Sequence, residues 1–226
     1  MPIFFDLNVH AYPETDVPAE VMLRTARNYG YTGIAITNHD DCMGAGERQE
    51  KTHSIYTGVE IRTKSESELN RRIKHYYSSK VQLIAVHGGD ERINLAALKD
   101  NRIDILAHPC GEKGEGTLNR VLVRYAAENG IAIEFNMNAI INNRRGDRTR
   151  ILTRMHDNLK LVRKYRAMPI LTSNACSIYG LRAPREMIAV AALFGMRREE
   201  AVAALRDVPL SILEKRWDKE REVELL

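Results

Sequence analysis

The sequence predicts an α/β protein, a TIM-like β/α barrel of seven or eight mainly parallel strands in a single domain. Two observations carry this. Seven short apolar runs, at residues 4–10, 34–40, 56–60, 83–87, 103–109, 131–136 and 170–176, each end in a polar residue able to do chemistry. Helix-patterned segments separate the runs, and such alternation requires a parallel sheet with crossover helices. A doubly wound open sheet is the alternative, but nothing like G-x-G-x-x-G follows the first run.

The first helix is expected after residue 16, with Asp16 as a cap, Pro18 close behind and Gly30 as its stop. Residues 65–77 predict a strongly polar helix, and 94–99 a short one. Residues 117–128 place Leu118, Val121, Leu122 and Tyr125 at helical spacing before Gly130. Further helices are expected at 150–166, 184–194 and 198–206, with a last short strand at 208–211. The barrel is assigned to residues 1–212 and a charged, helix-prone tail to 213–226, anchored by Trp217. Residues 40–52 have no apolar period and predict a mobile loop.

At 226 residues there is room for a full barrel core. Apolar content of 44% and charged content of 28% are those of a soluble globular protein. The net charge of +4 leans mildly toward a polyanionic partner. Cys42, Cys110 and Cys176 form no C-x-x-C pair and suit a reducing compartment, so a cytoplasmic location is expected. There is no cleavable leader pattern and no apolar stretch near the ~20 residues that span a bilayer, so no membrane is expected.

Carboxyl ends of barrel strands meet at one face. There they should gather Asn8, His10, Asn38, His39, Glu60, His87, His108, Asn136, Asn174 and Cys176, with Glu134 beside them. Imidazoles and carboxylates bind divalent metals and generate hydroxide, whereas amides are poor ligands and a thiol suits zinc, not magnesium. The patch looks like a metal site with several ligands exchanged, and no bound metal is expected. As plainer readings, Asn136 and Asn138 can satisfy backbone groups, Cys110 can be a small buried residue, and the polar helix can serve solubility.

Asn8-Val9-His10, Thr37-Asn38-His39 and Ser173-Asn174-Ala175-Cys176 resemble the His-x-His, Thr-Asp-His and Ser-Asp-Ala-His motifs of the polymerase-and-histidinol-phosphatase (PHP) phosphoesterases. The opening Phe5-Asp6-Leu7-Asn8-Val9-His10, the Ser-Asn-Ala-Cys and Leu181-Arg182-Ala183-Pro184-Arg185-Glu186 are similar to the thirty-kilodalton protein family of archaeal and eukaryotic ribonuclease P, component 3, a degenerate PHP relative. The resemblance covers almost the whole chain. It implies a PHP-type barrel and a noncatalytic subunit of the endonuclease that removes the 5′ leader of precursor tRNA. It implies further that the chain binds the ribonuclease P RNA, whose magnesium-dependent catalytic domain it supports. Its partners would be the ferredoxin-like protein component 2 and other protein subunits, with precursor tRNA in the holoenzyme and no cofactor on this chain.

The residues add an RNA surface independently. Residues 141–166 hold seven Arg and two Lys against two Asp, a net of +7 that exceeds the whole chain's +4. Focused charge is the footprint of phosphate contacts. Arg144, Arg145, Arg148 and Arg150 are expected in a loop after the sixth strand, since Gly146 and four arginines within seven residues make poor helix. Arg62, Arg154, Arg182 and Arg185 should join them, with Arg163 and Arg166 on a solvated helix face. The alternative function is a stand-alone metal-dependent PHP-type phosphoesterase, which would hydrolyse a chromogenic phosphodiester with manganese or zinc.

Overall fold

The computed structural model describes residues 3–42, 54–79, 81–111 and 118–224, with side chains through residue 215. Seven strands follow one another around a single parallel sheet. They are β1 (Phe5–Val9), β2 (Gly33–Ile36), β3 (Ile55–Ile61), β4 (Leu83–His87), β5 (Ile105–Ala107), β6 (Ala132–Asn136) and β7 (Pro169–Thr172). The sheet curls until its edges meet. Val9 bridges Ala175, and the His10 N–H donates to the Ala175 carbonyl at 2.9 Å. Just below, the Asp6 carboxylate accepts the Ser173 N–H at 3.2 Å, so a side chain takes the place of a ladder bond at this seam.

The helices are α1 (Ala19–Tyr29), α2 (Glu66–Tyr77), α3 (Glu91–Leu98), α4 (Arg120–Asn129), α5 (Met137–Asn142), α6 (Arg145–Tyr165), α7 (Pro184–Ala191), α8 (Arg198–Leu205) and α9 (Asp207–Glu224). Their ends follow local chemistry. Gly30 (φ 101°) and Gly130 (φ 63°) close α1 and α4 in the left-handed conformation. Ser65, Asp90 and Asn119 accept backbone N–H groups at the starts of α2, α3 and α4. The Asp90 cap starts α3 three residues before the expected position. Pro18, not Asp16, stands at the N-cap of α1.

Two apolar cores result. Outside the sheet, Ile34, Ile36, Ile84, Leu106, Ile133 and Leu171 pack among buried helix residues such as Met22, Leu69, Leu122 and Leu159. Inside the barrel, Phe5, Leu7, Ala35, Leu83, Ala85, Ile105, Ala132 and Ile170 form a second cluster. The strands alternate between the two, as the pleat requires. β1 carries an irregularity: Asp6 pairs with Ile34 but Val9 with Ile36, so three steps on β1 match two on β2. This extra residue resets the alternation. Phe5 and Leu7 fill the interior, while Asn8 and His10 reach the buried polar groups above it.

Two expectations need correction. Residues 208–211 are not an eighth strand but the start of α9. The helix wins because Ile212 and Leu213 join the interior cluster, and helical spacing lets Val208 pack beside them. These residues plug the barrel from the amino-terminal end of its strands, where Phe5 and Met168 lie. The assigned boundary at 212 therefore falls inside one continuous helix. Trp217 and all but the first residues of the loop at 40–52 lie outside the described side chains.

Leu213, 1% exposed, is the more enclosed of the two plug residues. Leu213→Ala is expected to lower stability by about 2–4 kcal/mol in urea unfolding. The exposed neighbour change Ser211→Ala should stay within about 0.5 kcal/mol.

Candidate functional site

The strand ends converge as expected, on a largely buried polar network whose His108, Glu134 and Asn136 line a small cleft. Its centre is Asn8, fully buried on β1. The Asn8 amide donates to Glu134 Oε1 at 2.8 Å and to Glu60 Oε2 at 3.1 Å. Its oxygen accepts from Thr37 Oγ1 at 2.6 Å. One neutral NH2 group thus stands between two carboxylates. Thr172 Oγ1 donates to Glu134 at 2.6 Å, and the His108 N–H to its other oxygen at 2.8 Å.

Four histidines surround the carboxylates. His87 Nδ1–H donates to Glu60 Oε1 at 2.6 Å, and His39 Nε2 lies 3.1 Å from His87 Nδ1. His108 Nδ1 is 2.9 Å from Glu134 Oε2, and its Nε2 is 3.4 Å from Glu60. His10 and His39 stack with ring centroids 4.9 Å apart. Both donate through Nδ1 to Glu14, at 2.9 and 2.6 Å, and the His39 N–H adds a third bond at 2.8 Å.

Charge follows from this geometry. Burial opposes ionisation of His39, but bonds to Glu14 and Glu60 outweigh it and raise its pKa to about 9. Burial likewise opposes a charge on His108, and the charges of Glu134 and Glu60 raise it well above the usual range. Burial works against the Glu60 and Glu134 carboxylates, yet the charge of His108 holds both below the usual range. Glu14 is held low by His10 and His39, again against burial. Beneath them, burial raises Asp6 to about 6 despite its bonds from Ser173.

The other amides brace backbone or histidine rings. Asn38 Oδ1 accepts the Ala11 N–H at 2.8 Å, and its NH2 donates to the Tyr12 carbonyl at 3.2 Å. Asn136 accepts the Asn138 N–H at 2.8 Å and contacts His108 Nδ1. Asn174 donates to His10 Nε2 at 3.0 Å. Asn174 has φ 50° and His108 φ 46°, conformations that an Asn tolerates better than most residues. Cys176, two residues beyond Asn174, is exposed. Glu14, Asp6 and Thr172 were not anticipated. Glu14 lies four residues beyond His10 in a loop, where no periodicity marks it.

The arginines fall into two groups. Arg144 caps α6, and Arg145, Arg148 and Arg150 lie in its first two turns, which corrects the expected loop. The helix forms despite Gly146 because Ile151, Met155, Leu159 and Val162 bury a stripe, and burial outweighs propensity. Arg148 donates to the Ile140 and Asn143 carbonyls at 3.0 and 2.8 Å, which ties α6 to the end of α5. Arg150 pairs with Asp147, Arg62 is bidentate on Asp41, and Arg163 pairs with Glu200. Arg182 donates to the Tyr179 and Leu181 carbonyls. Arg154, half-buried on α6, lines a cleft with Cys110 and Asn158. Arg144, Arg145 and Arg185 are exposed and make no side-chain ion pair among the described residues. α6 spans 21 residues, roughly 30 Å, and follows β6 and α5, so its first turns lie on the strand-end side of the barrel.

A multi-metal cluster does not fit this donor set, because the Asn8 amide stands between Glu60 and Glu134 as a donor. Two triads, His10-Glu14-His39 and His39-Glu60-His87, do bring their ligand atoms within 4.8 Å of one another. They share His39, whose Nδ1 already serves Glu14.

Two outcomes are expected. Asn8→Asp would set a third carboxylate against Glu60 and Glu134 and destabilise the protein by about 3 kcal/mol or more at neutral pH. Added manganese or zinc should recover part of that loss in thermal unfolding, and should shift the wild type less. Because His39 is raised from 6.5 to about 9, its contribution is complete below pH 6.5 and is lost as pH rises through 9. Urea unfolding between pH 6 and 10 should show a fall on the order of 1 kcal/mol from this group, which Glu14→Gln reduces.

Comparison with known proteins identifies the family. The family model for RNase P subunit p30 matches residues 3–221. Ribonuclease P protein component 3 of Methanococcoides burtonii is 44% identical over 96% of this chain and 90% of its own length. The Methanosarcina acetivorans protein of the same name is 36% identical over 95% of this chain and 90% of its own. A chain in the cryo-EM structure of archaeal ribonuclease P with mature tRNA superposes with a TM-score of 0.75, at 23% identity, covering 93% of this chain and 90% of that one. Histidinol phosphate phosphatase from Lactococcus lactis, solved with zinc, L-histidinol and phosphate, shares the fold at TM-score 0.56 and 14% identity, covering 86% of this chain and 95% of that one. A family model that matches nearly the whole chain, with relatives at 36–44% identity, shows that the chain belongs to the RNase P subunit p30 family.

Proposed function

We propose that the chain serves ribonuclease P as a noncatalytic protein subunit that binds the RNA subunit and supports its catalytic domain in removing the 5′ leader of precursor tRNA. The observation that carries the noncatalytic reading is the Asn8 amide bonded to both Glu60 and Glu134. Metal-assisted phosphoester hydrolysis needs a cation and a bound hydroxide at that point. An amide supplies neither, and the histidines around it are committed to carboxylates. Magnesium then belongs to the RNA. The stand-alone phosphoesterase reading keeps the His39-Glu60-His87 triad in its favour. A single cation held there would use His39 Nε2, with Glu14 orienting the ring through Nδ1.

The RNA contact is assigned to the start of α6 and to Arg185, where exposed guanidinium groups stand above the strand-end face. Component 2, the ferredoxin-like subunit, and the other protein subunits complete the proposed assembly, with precursor tRNA as its substrate. The proposed compartment is the cytoplasm. Among the described residues no helix is long and apolar enough to cross a membrane.

The test is a salt titration of binding to the ribonuclease P RNA. Each phosphate contact contributes about 0.7–0.9 to the log–log slope. The double variant Arg144→Ala, Arg145→Ala should flatten the slope by roughly 1–2 units. Arg163→Ala, whose guanidinium is paired with Glu200, should leave it nearly unchanged. Equal slopes for the wild type and the double variant would move the RNA off this face.

A further inference from the structure

We infer that Tyr12 and Tyr179 form a paired stacking platform for unpaired nucleotide bases, beside the barrel seam on the strand-end face. The inference rests on the RNA-binding reading above and gives it a second, non-ionic component. Most large apolar side chains here are buried, yet Tyr179 is 83% exposed and Tyr12 is 59% exposed. They sit on the loops after β7 and after β1, the two strands that meet at the seam. Val9 bridges Ala175, and Asn174 bonds His10, so the two loops leave the barrel side by side.

Both loops are held from beneath, as a rigid platform requires. Arg182 Nη1 donates to the Tyr179 carbonyl at 2.6 Å and to the Leu181 carbonyl at 2.7 Å. Gly180 lies so close to Ala175 that a Cβ there would stand 3.1 Å from its Cα. Tyr12 donates its N–H to the Val17 carbonyl at 2.8 Å, and its carbonyl accepts the Asn38 amide. A buried strand-end amide thus braces the loop that presents an aromatic ring. Backbone fixed this way with rings left in water matches recognition of splayed-out bases, which stack on aromatic faces. Exposed Arg185, on α7 just beyond the Tyr179 loop, provides the phosphate partner that a stacked nucleotide needs.

The experiment measures binding of the full chain to the ribonuclease P RNA transcript and to a single-stranded oligouridylate, at several salt concentrations. It compares the wild type with Tyr12→Ala, Tyr179→Ala and the double Tyr→Phe variant. Each Ala variant should bind roughly ten-fold more weakly with an unchanged salt slope, since stacking releases no counterions. The Phe variant keeps the rings and should bind as the wild type does. Ala variants that bind both RNAs as tightly as the wild type overturn the platform while leaving the arginine surface standing. Ala variants that keep RNA affinity but lose a protein subunit in pull-down overturn it in favour of a protein contact. A wild type with no affinity for either RNA overturns the reading on which the platform rests.

Discussion

Two carboxylates buried side by side repel each other, and the whole mouth of this barrel is arranged around that repulsion. Glu60 and Glu134 have no solvent to screen them. The Asn8 amide separates them, His108 offsets both, and His39 and His87 add further donors to Glu60. Removing any one partner would leave a buried charge exposed to its neighbour. The network is therefore rigid, and loops that leave it start from fixed points. Asn38 and Asn174 extend that rigidity outward, one to the loop after β1 and one across the seam to His10.

At the strand ends the carboxylates are held by hydrogen bonds from Asn8 and the histidines, and the proposed RNA contact lies outside this network. The arginines divide by role. Arg148, Arg163 and Arg182 hold backbone or carboxylates in place. Arg144, Arg145 and Arg185 face solvent with their charge available. A count of basic residues cannot distinguish these groups, and the distinction decides which of them a polyanion can use.

Much of the architecture was legible in the sequence because it follows local rules. Each strand was marked by an apolar run with a polar terminus, and Gly30, Gly130 and Ser65 marked helix ends by their own conformational or capping chemistry. What was not legible depends on distant partners. Glu14 matters because β1 and β2 bring His10 and His39 together above it. Residues 208–211 have strand-like composition, and only the open lower end of the barrel makes them a helix. The first turns of α6 form against helix-poor composition because a buried stripe further along pays for them.

The plug formed by Ile212 and Leu213 has a consequence for the order of assembly. Strands β1 to β7 can pair in sequence as the chain is made, since each neighbours the next. The interior they enclose stays open to water at its lower end until α9 arrives. A nascent chain synthesised only as far as β7 would carry a complete sheet around a wet, exposed apolar lumen, the kind of surface that chaperones bind. Closure of the barrel is thus a late event in synthesis, set by a helix that takes no part in the site at the other end.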